Sequence, residues 1–206
     1  MNSIVSEKRF ISERIGVPYE NLSQSYLRAE TVLGTQSVID FVLQTNKKSN
    51  ALVTERLLDL NDEFVITHFT VGLKRIASDT PTDTQQLVAP VLTYENETAF
   101  AGTNGGNVAA IYNSDLSWTI DRKEFVPQFP VRAFRRVPTT QEGTGLIDGF
   151  DNGLYAFYPS EPTKIDGRQT IDLAINLGSS TTFDDASNSY YAVFEARGYL
   201  IVNAKS

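Results

Sequence analysis

Residues 170–178 read TIDLAINLG, and apolar and polar positions alternate through them. Ile171, Leu173, Ile175 and Leu177 share one side; Asp172, Ala174 and Asn176 share the other. A period of two marks a strand with one buried face and one wet face. The same period recurs elsewhere. Residues 25–33 (SYLRAETVL) and 37–45 (SVIDFVLQT) predict two strands joined by a GTQ link, with Ile39, Phe41 and Leu43 together on the second. Residues 64–77 predict a long strand rich in β-branched and aromatic side chains. Strict alternation places Val65, Thr67, Phe69, Val71 and Leu73 on its apolar face and Phe64, Ile66, His68 and Thr70 opposite. Residues 115–121 group Leu116, Trp118 and Ile120. Residues 190–202 (YYAVFEARGYLIV) form a last strand in which Gly198 marks a bulge. Residues 87–95 predict one more, demoted to an edge by Pro90.

The remaining segments follow other rules. Residues 5–15 predict a short helix capped by Ser6, with Phe10, Ile11 and Ile15 on one side, inside an N-terminal arm spanning 1–20. Pro127, Pro130 and Pro138 keep 126–138 extended. GTNGGN at 102–107 predicts a turn needing positive φ. Residues 78–86, 139–153 and 178–189 read as polar or Gly-rich loops. Eight or nine strands with neither repeat nor linker predict one domain over 1–206. Its class is all-β: a single β-sandwich of jelly-roll or Greek-key type with about eight strands and a short N-terminal helix. A closed up-and-down barrel is the competing arrangement. The expected core includes Phe41, Phe69, Val71, Trp118, Leu173, Ile175 and Phe194.

Composition narrows the function. A net charge of −7 disfavours binding nucleic acid through overall charge, so any such contact is expected to be local. Cysteine is absent, which removes disulfides, thiolate metal sites and thiol nucleophiles together. The charged start, MNSIVSEKRFISERIG, argues against a signal peptide, and no stretch approaches the ~18 apolar residues of a membrane span. The triplets NLS (21–23) and NET (96–98) match the glycosylation sequon by chance on this reading. His68 is the only histidine, so a catalytic triad would have to use it. In the middle of a long strand it reads as a partly buried or interface residue. Asp148 and Asp151 in DGFDNG, and Asp184 and Asp185 in FDDASN, offer oxygens to calcium. The first lacks the spacing of an EF-hand loop, and Asp and Asn serve turns equally well. Neither metal nor cofactor nor catalytic residue is expected.

One segment runs against the acidic whole. Residues 122–136, RKEFVPQFPVRAFRR, interleave Arg122, Lys123, Arg132, Arg135 and Arg136 with Phe125, Phe129 and Phe134. A rigid basic and aromatic arm in an acidic chain suits a contact with carboxylates of a neighbouring subunit. Arg132, Arg135, Arg136 and Phe129 are the candidate interface residues. Single-stranded nucleic acid is the competing partner.

LSWTIDRKEFVPQFPVRAFRRVPTTQ (116–141), YPSEPTKIDGRQTIDLAINL (158–177) and LNDEFVITHFTVGLKR (60–75) together resemble the jelly-roll capsid and structural virion proteins of bacterial viruses. The resemblance rests on cadence and covers a minority of the chain. It implies a homo-oligomer, built through trimers or pentamers into a shell with other virion proteins. It also implies synthesis in a host cytoplasm, residence in the virion and no catalytic site. The alternative is a carbohydrate- or ligand-binding β-sandwich module, using Tyr112, Trp118, Tyr155, Tyr158, Tyr190 and Tyr191 as an aromatic platform.

Overall fold

Nine strands pair in a nested order. In a computed structural model that describes residues 2–96, 98–100, 104–137 and 156–202, with side chains from Glu7 onward, the strands are β1 (Ser23–Val32), β2 (Thr35–Asp40), β3 (Glu63–Ile76), β4 (Val91–Leu92), β5 (Asp115–Ile120), β6 (Lys123–Pro130), β7 (Thr163–Asp166), β8 (Ile171–Thr182) and β9 (Ser189–Ile201). The first sheet runs β1-β9-β3, with β4 and β7 on opposite ends of the far edge of β3; the second runs β2-β8-β5-β6. Every pairing is antiparallel. Set the two-residue β4 aside, and first pairs with last, second with second-last, third with third-last, and the innermost two with each other. That nesting is a long hairpin wound around itself, the jelly-roll form of a β-sandwich.

The two inner faces meet in one core. Phe41, Phe69, Val71, Trp118, Leu173, Ile175 and Phe194 all lie within it, as alternation requires. Trp118 makes edge-on contacts with Phe69, Phe125 and Phe194 at centroid distances of 5.3, 5.1 and 5.3 Å. Such geometry sets the positive rim of one ring against the negative face of another. Phe69 also packs on Phe134 and Phe157, so it ties both sheets to the segments that close the sandwich edge.

Alternation fails once inside β3. The register against β9 slips between Ile66 and His68, leaving Thr67 as an extra residue. Phe64 and Ile66 therefore join Phe69, Val71 and Leu73 in the core, whereas Val65 packs in a separate cluster with Ile11, Leu22, Tyr199 and Ile201. The expected face of Val65 and Thr67 is corrected by this bulge. Gly198 sits opposite it: a Cβ there would come within 1.8 Å of the Val65 carbonyl oxygen. The bulge lies on β3, and Gly198 on β9 makes room for it.

Other expectations shift for local reasons. The N-terminal helix α1 (Asn2–Ile15) begins ahead of Ser6, which is thus not its cap; Ile11 is buried and Phe10 exposed. Much of the expected strand at 87–95 is replaced by a helix α2 (Asp83–Val88) and the short edge strand β4. The cause is a capping box, in which the Thr82 hydroxyl and the Gln85 side chain satisfy each other's backbone amides. β2 stops at Asp40, although Ile39, Phe41 and Leu43 all remain buried. β8 runs on to Thr182, through the start of the expected loop. Gly105 has no positive φ; a Cβ there would fall 1.7 Å from the Phe100 carbonyl oxygen, so close approach explains it. Val131–Phe134 forms a 3-10 turn in place of an extended arm, and its three-residue period buries both Val131 and Phe134. Pro138, Asp148, Asp151, Tyr155 and the loop 139–153 lie outside the described residues.

The outward face of the first sheet is covered at both ends. At one end α1 lies over Val65, Tyr199 and Ile201. At the other, Glu30 and Lys74 form an ion pair whose side chains are both 0% exposed. Arg28 adds a second cation to Glu30 at 2.6 Å. The segment after β2 closes over them: Glu55 accepts from the Glu30 backbone amide at 2.7 Å and pairs with Lys48 at 2.6 Å. Burial alone would raise the Glu30 carboxyl. Hydrogen bonds from Lys74 and Thr54 and the charges of Arg28 and Lys74 outweigh it and hold the group below its ordinary range.

Two outcomes follow for stability. Phe69→Ala is expected to cost about 3–5 kcal/mol, and Gly198→Ala about 1–3 kcal/mol or more by forcing the ladder apart; thermal melts compare them with wild type. Because the Glu30 pKa is lower folded than unfolded, its stabilisation is complete above the ordinary value of 4.5 and is lost as pH falls through the folded value. Acid unfolding of wild type is expected below that value. Glu30→Gln, which strands Lys74, loses about 3–5 kcal/mol at neutral pH, while Glu30→Leu with Lys74→Met recovers it and flattens the acid dependence.

Candidate functional site

Between the two covers the first sheet is open. A cleft of about 480 Å³ lies there, with a wall at Glu7 of α1 and a floor of outward side chains from β1, β9 and β3. The register sets the floor in rows. Tyr26, Arg197 and His68 are directly opposed across the three strands; Arg28, Glu195 and Thr70 form the next row. The segment after residue 155 extends the first row. Phe157 bonds to the β3 edge at Phe69, with N–O distances of 3.0 and 2.8 Å, and so places Tyr158 beside His68. The two rings stack at 5.1 Å and 24°. Tyr158 is 68% exposed and Tyr26 43%.

The bulge decides the state of His68. The Thr67 hydroxyl donates to the Arg197 carbonyl at 3.1 Å and lies 3.1 Å from His68 Nδ1. With its one proton committed, that oxygen receives the Nδ1–H, which leaves Nε2 as the ring's acceptor. Partial burial, then the charge of Arg197, lowers the imidazole pKa below its ordinary value, against the opposing pull of Glu7 and Glu195. Burial and Arg197 both favour the neutral ring. Arg197 Nε donates to Glu195 at 2.9 Å. Among the described residues no serine or carboxylate is seen hydrogen-bonding the imidazole, and no group of three His, Cys, Asp or Glu could hold a metal ion.

The basic arm is only partly outward. Arg135 Nε donates to both carboxylate oxygens of Glu95 at 2.9 Å, and its terminal nitrogen reaches the same group at 2.8 Å. This pair belongs to the chain itself. Phe129 packs on Phe134 and Phe157 at 5.4 and 4.8 Å. Arg132 and Arg136 are exposed. Between Arg132 and the Arg135–Glu95 pair a recess of about 200 Å³ reaches Tyr112, whose buried hydroxyl has no hydrogen-bond partner among the described residues.

The expected aromatic platform does not exist as such. Tyr112, Trp118, Tyr190 and Tyr191 are buried, because large rings are the material of the core, and of the named residues within the description only Tyr158 is exposed. Asp184 and Asp185 hold their own loops: Asp184 accepts from Thr35, and Asp185 from Tyr190 and the Ser187 amide. The cleft residues Tyr26, Arg28, Glu195 and Arg197 carry no motif in the sequence and come together through strand register alone. No protein-family model, curated protein or solved structure matches the chain. No helix among the described residues is long and apolar enough to cross a membrane.

As the only histidine, His68 is its own spectroscopic probe. Its imidazole C–H resonances are expected to titrate below the ordinary value of 6.5, and Arg197→Gln to move the midpoint upward. An unchanged midpoint in that variant counts against the Arg197 contribution.

Proposed function

We propose that this chain is a non-enzymatic, self-assembling structural protein, a capsid or virion component of a bacterial virus. The observation that carries the reading is the nested jelly-roll pairing, a winding that capsid domains share with lectins and cupins. Fold alone does not assign function. Three further features favour a shell protein over the other users of the winding. The sequence cadence of 60–75, 116–141 and 158–177 resembles that of jelly-roll virion proteins. A single histidine and no cysteine leave little with which to build a cupin-like metal centre. The outward face of the second sheet has short side chains at its central positions, Ser117, Thr119, Ala174 and Asn176, and a recess of about 240 Å³ there is bordered by Val42, Gln44 and Lys47 of the segment after β2. Short side chains there allow close approach of another surface.

In this reading the exposed Arg132 and Arg136 supply cationic contacts to carboxylates of a neighbouring copy. Such pairs set register and specificity more than affinity. Light scattering after size-exclusion chromatography, with negative-stain microscopy, is expected to find a closed oligomer or particle. Arg132→Ser with Arg136→Ser is expected to lower that mass while the monomer stays folded. A monodisperse monomer at every concentration overturns the proposal. Normal assembly of the double variant with loss of salt-sensitive nucleic-acid retention assigns the arm to a genome instead.

A further inference from the structure

The cleft over the first sheet has a chemistry of its own, independent of assembly. Its lining mixes the charged and polar groups of Glu7, Gln24, Glu195 and Arg197 with the ring of Tyr26, which suits an amphipathic ligand better than a lipid. Its charges are balanced: Arg28 and Arg197 stand against Glu7 and Glu195. Arg28 is already paired with Glu30, and Arg197 with Glu195. A polyanion therefore finds no net field to bind. What the cleft does offer is planar groups with donors and acceptors side by side, with the exposed phenol ring of Tyr26 in its lining and that of Tyr158 just beyond it, stacked on His68. Tyr26 and His68 are two strand spacings apart, about 10 Å, and Tyr158 lies a further 5.1 Å along the same row. One face of Tyr158 is taken by the imidazole, and its 68% exposure leaves the other to solvent.

We propose that this cleft binds a short neutral oligosaccharide laid across the strands, with sugar rings on Tyr26 and Tyr158 and hydroxyls on His68, Arg197 and Glu195. A pyranose has an apolar C–H face that stacks on an aromatic ring and a rim of hydroxyls, each both donor and acceptor. Glu195 accepts from such hydroxyls, Arg197 donates to them, and His68 Nε2 accepts one more. The ion pair between Glu195 and Arg197 holds both groups in place before the ligand arrives, which lowers the ordering cost of binding. The Thr67 hydroxyl does the same for the imidazole.

The test uses the full chain and four probes: cellohexaose, maltohexaose, laminarihexaose and chitohexaose, each followed by saturation-transfer NMR and titration calorimetry. At least one is expected to bind, with transfer strongest to its ring C–H protons. Tyr158→Ala and Tyr26→Ala, both at exposed positions, are each expected to weaken binding about tenfold. Tyr158→Phe is expected to retain it, since stacking and not the hydroxyl carries the contact. Asp172→Ala on the opposite sheet is expected to change nothing. Thermal melts establish that each variant is folded. Absence of transfer to all four probes overturns the proposal. So does binding that survives the double tyrosine truncation, or binding of a heparin hexasaccharide in preference to the neutral probes. Light scattering on the same samples reads assembly separately, so failure of sugar binding and failure of the shell reading are distinct results.

Discussion

One extra residue in β3 organises this molecule. β3 and β9 are the longest paired strands of the first sheet, and their ladder would place either Phe64 and Ile66 or Phe69 and Val71 in the core if it ran without a slip. Thr67 resolves the conflict. Inserted opposite Gly198, it lets both apolar runs face inward, and it turns Thr67 and His68 outward together. The missing Cβ of Gly198 is the other half of the device, because the Val65 carbonyl occupies that space. Bulges re-aim side chains at functional edges of many sheets; here the re-aimed residue is the only histidine.

The outward face of the same sheet is then partitioned by what can cover it. Val65, Tyr199 and Ile201 accept the apolar stripe of α1. Glu30 and Lys74 accept a loop that brings its own acid and base, Glu55 and Lys48. An isolated buried charge would be intolerable there, and a paired one is costly to break. The middle row mixes Tyr26, Arg197 and His68, and it suits neither cover. A helix would desolvate the guanidinium without replacing its water, and the loop cluster is already complete around Glu30. The cleft is what remains between two incompatible surfaces.

Much of this architecture is legible from period alone. Alternation at 25–33, 115–121, 170–178 and 190–202 marks strands that exist, and the seven expected core residues are in the core. The misses have specific causes. A period of two carries no record of a single inserted residue, so the face of Val65 came out inverted. The capping box of α2, Thr82 with Gln85, stood in the sequence as T-x-x-Q but lacked an apolar face to announce a helix. At Val131–Phe134 the prolines argue correctly against a long helix, yet a 3-10 turn after Pro130 needs only four residues. Tyrosine and tryptophan were legible as aromatics and not as exposed ones; burial depends on which face of which strand they occupy. The candidate cleft was the least legible part. Tyr26, His68 and Arg197 are remote in sequence and meet only because β1 and β3 both pair with β9, a fact of winding that no local pattern encodes.

That winding also separates the two functions argued for this chain. The first sheet has a face that is mostly covered, with a small polar opening and exposed rings. The second presents short side chains at its centre, and the basic turn at Val131–Phe134 lies just past β6 at its edge. Tyr26 lies on β1 of the first sheet and Arg132 in the turn after β6 of the second, so truncating the one leaves the other in place. A jelly roll can therefore assemble through one sheet and its edge while it engages a ligand through the other. The nested pairing makes this possible because it places the first and last strands side by side. With β1 and β9 in the first sheet, α1, which precedes β1, is close enough to form the cleft wall.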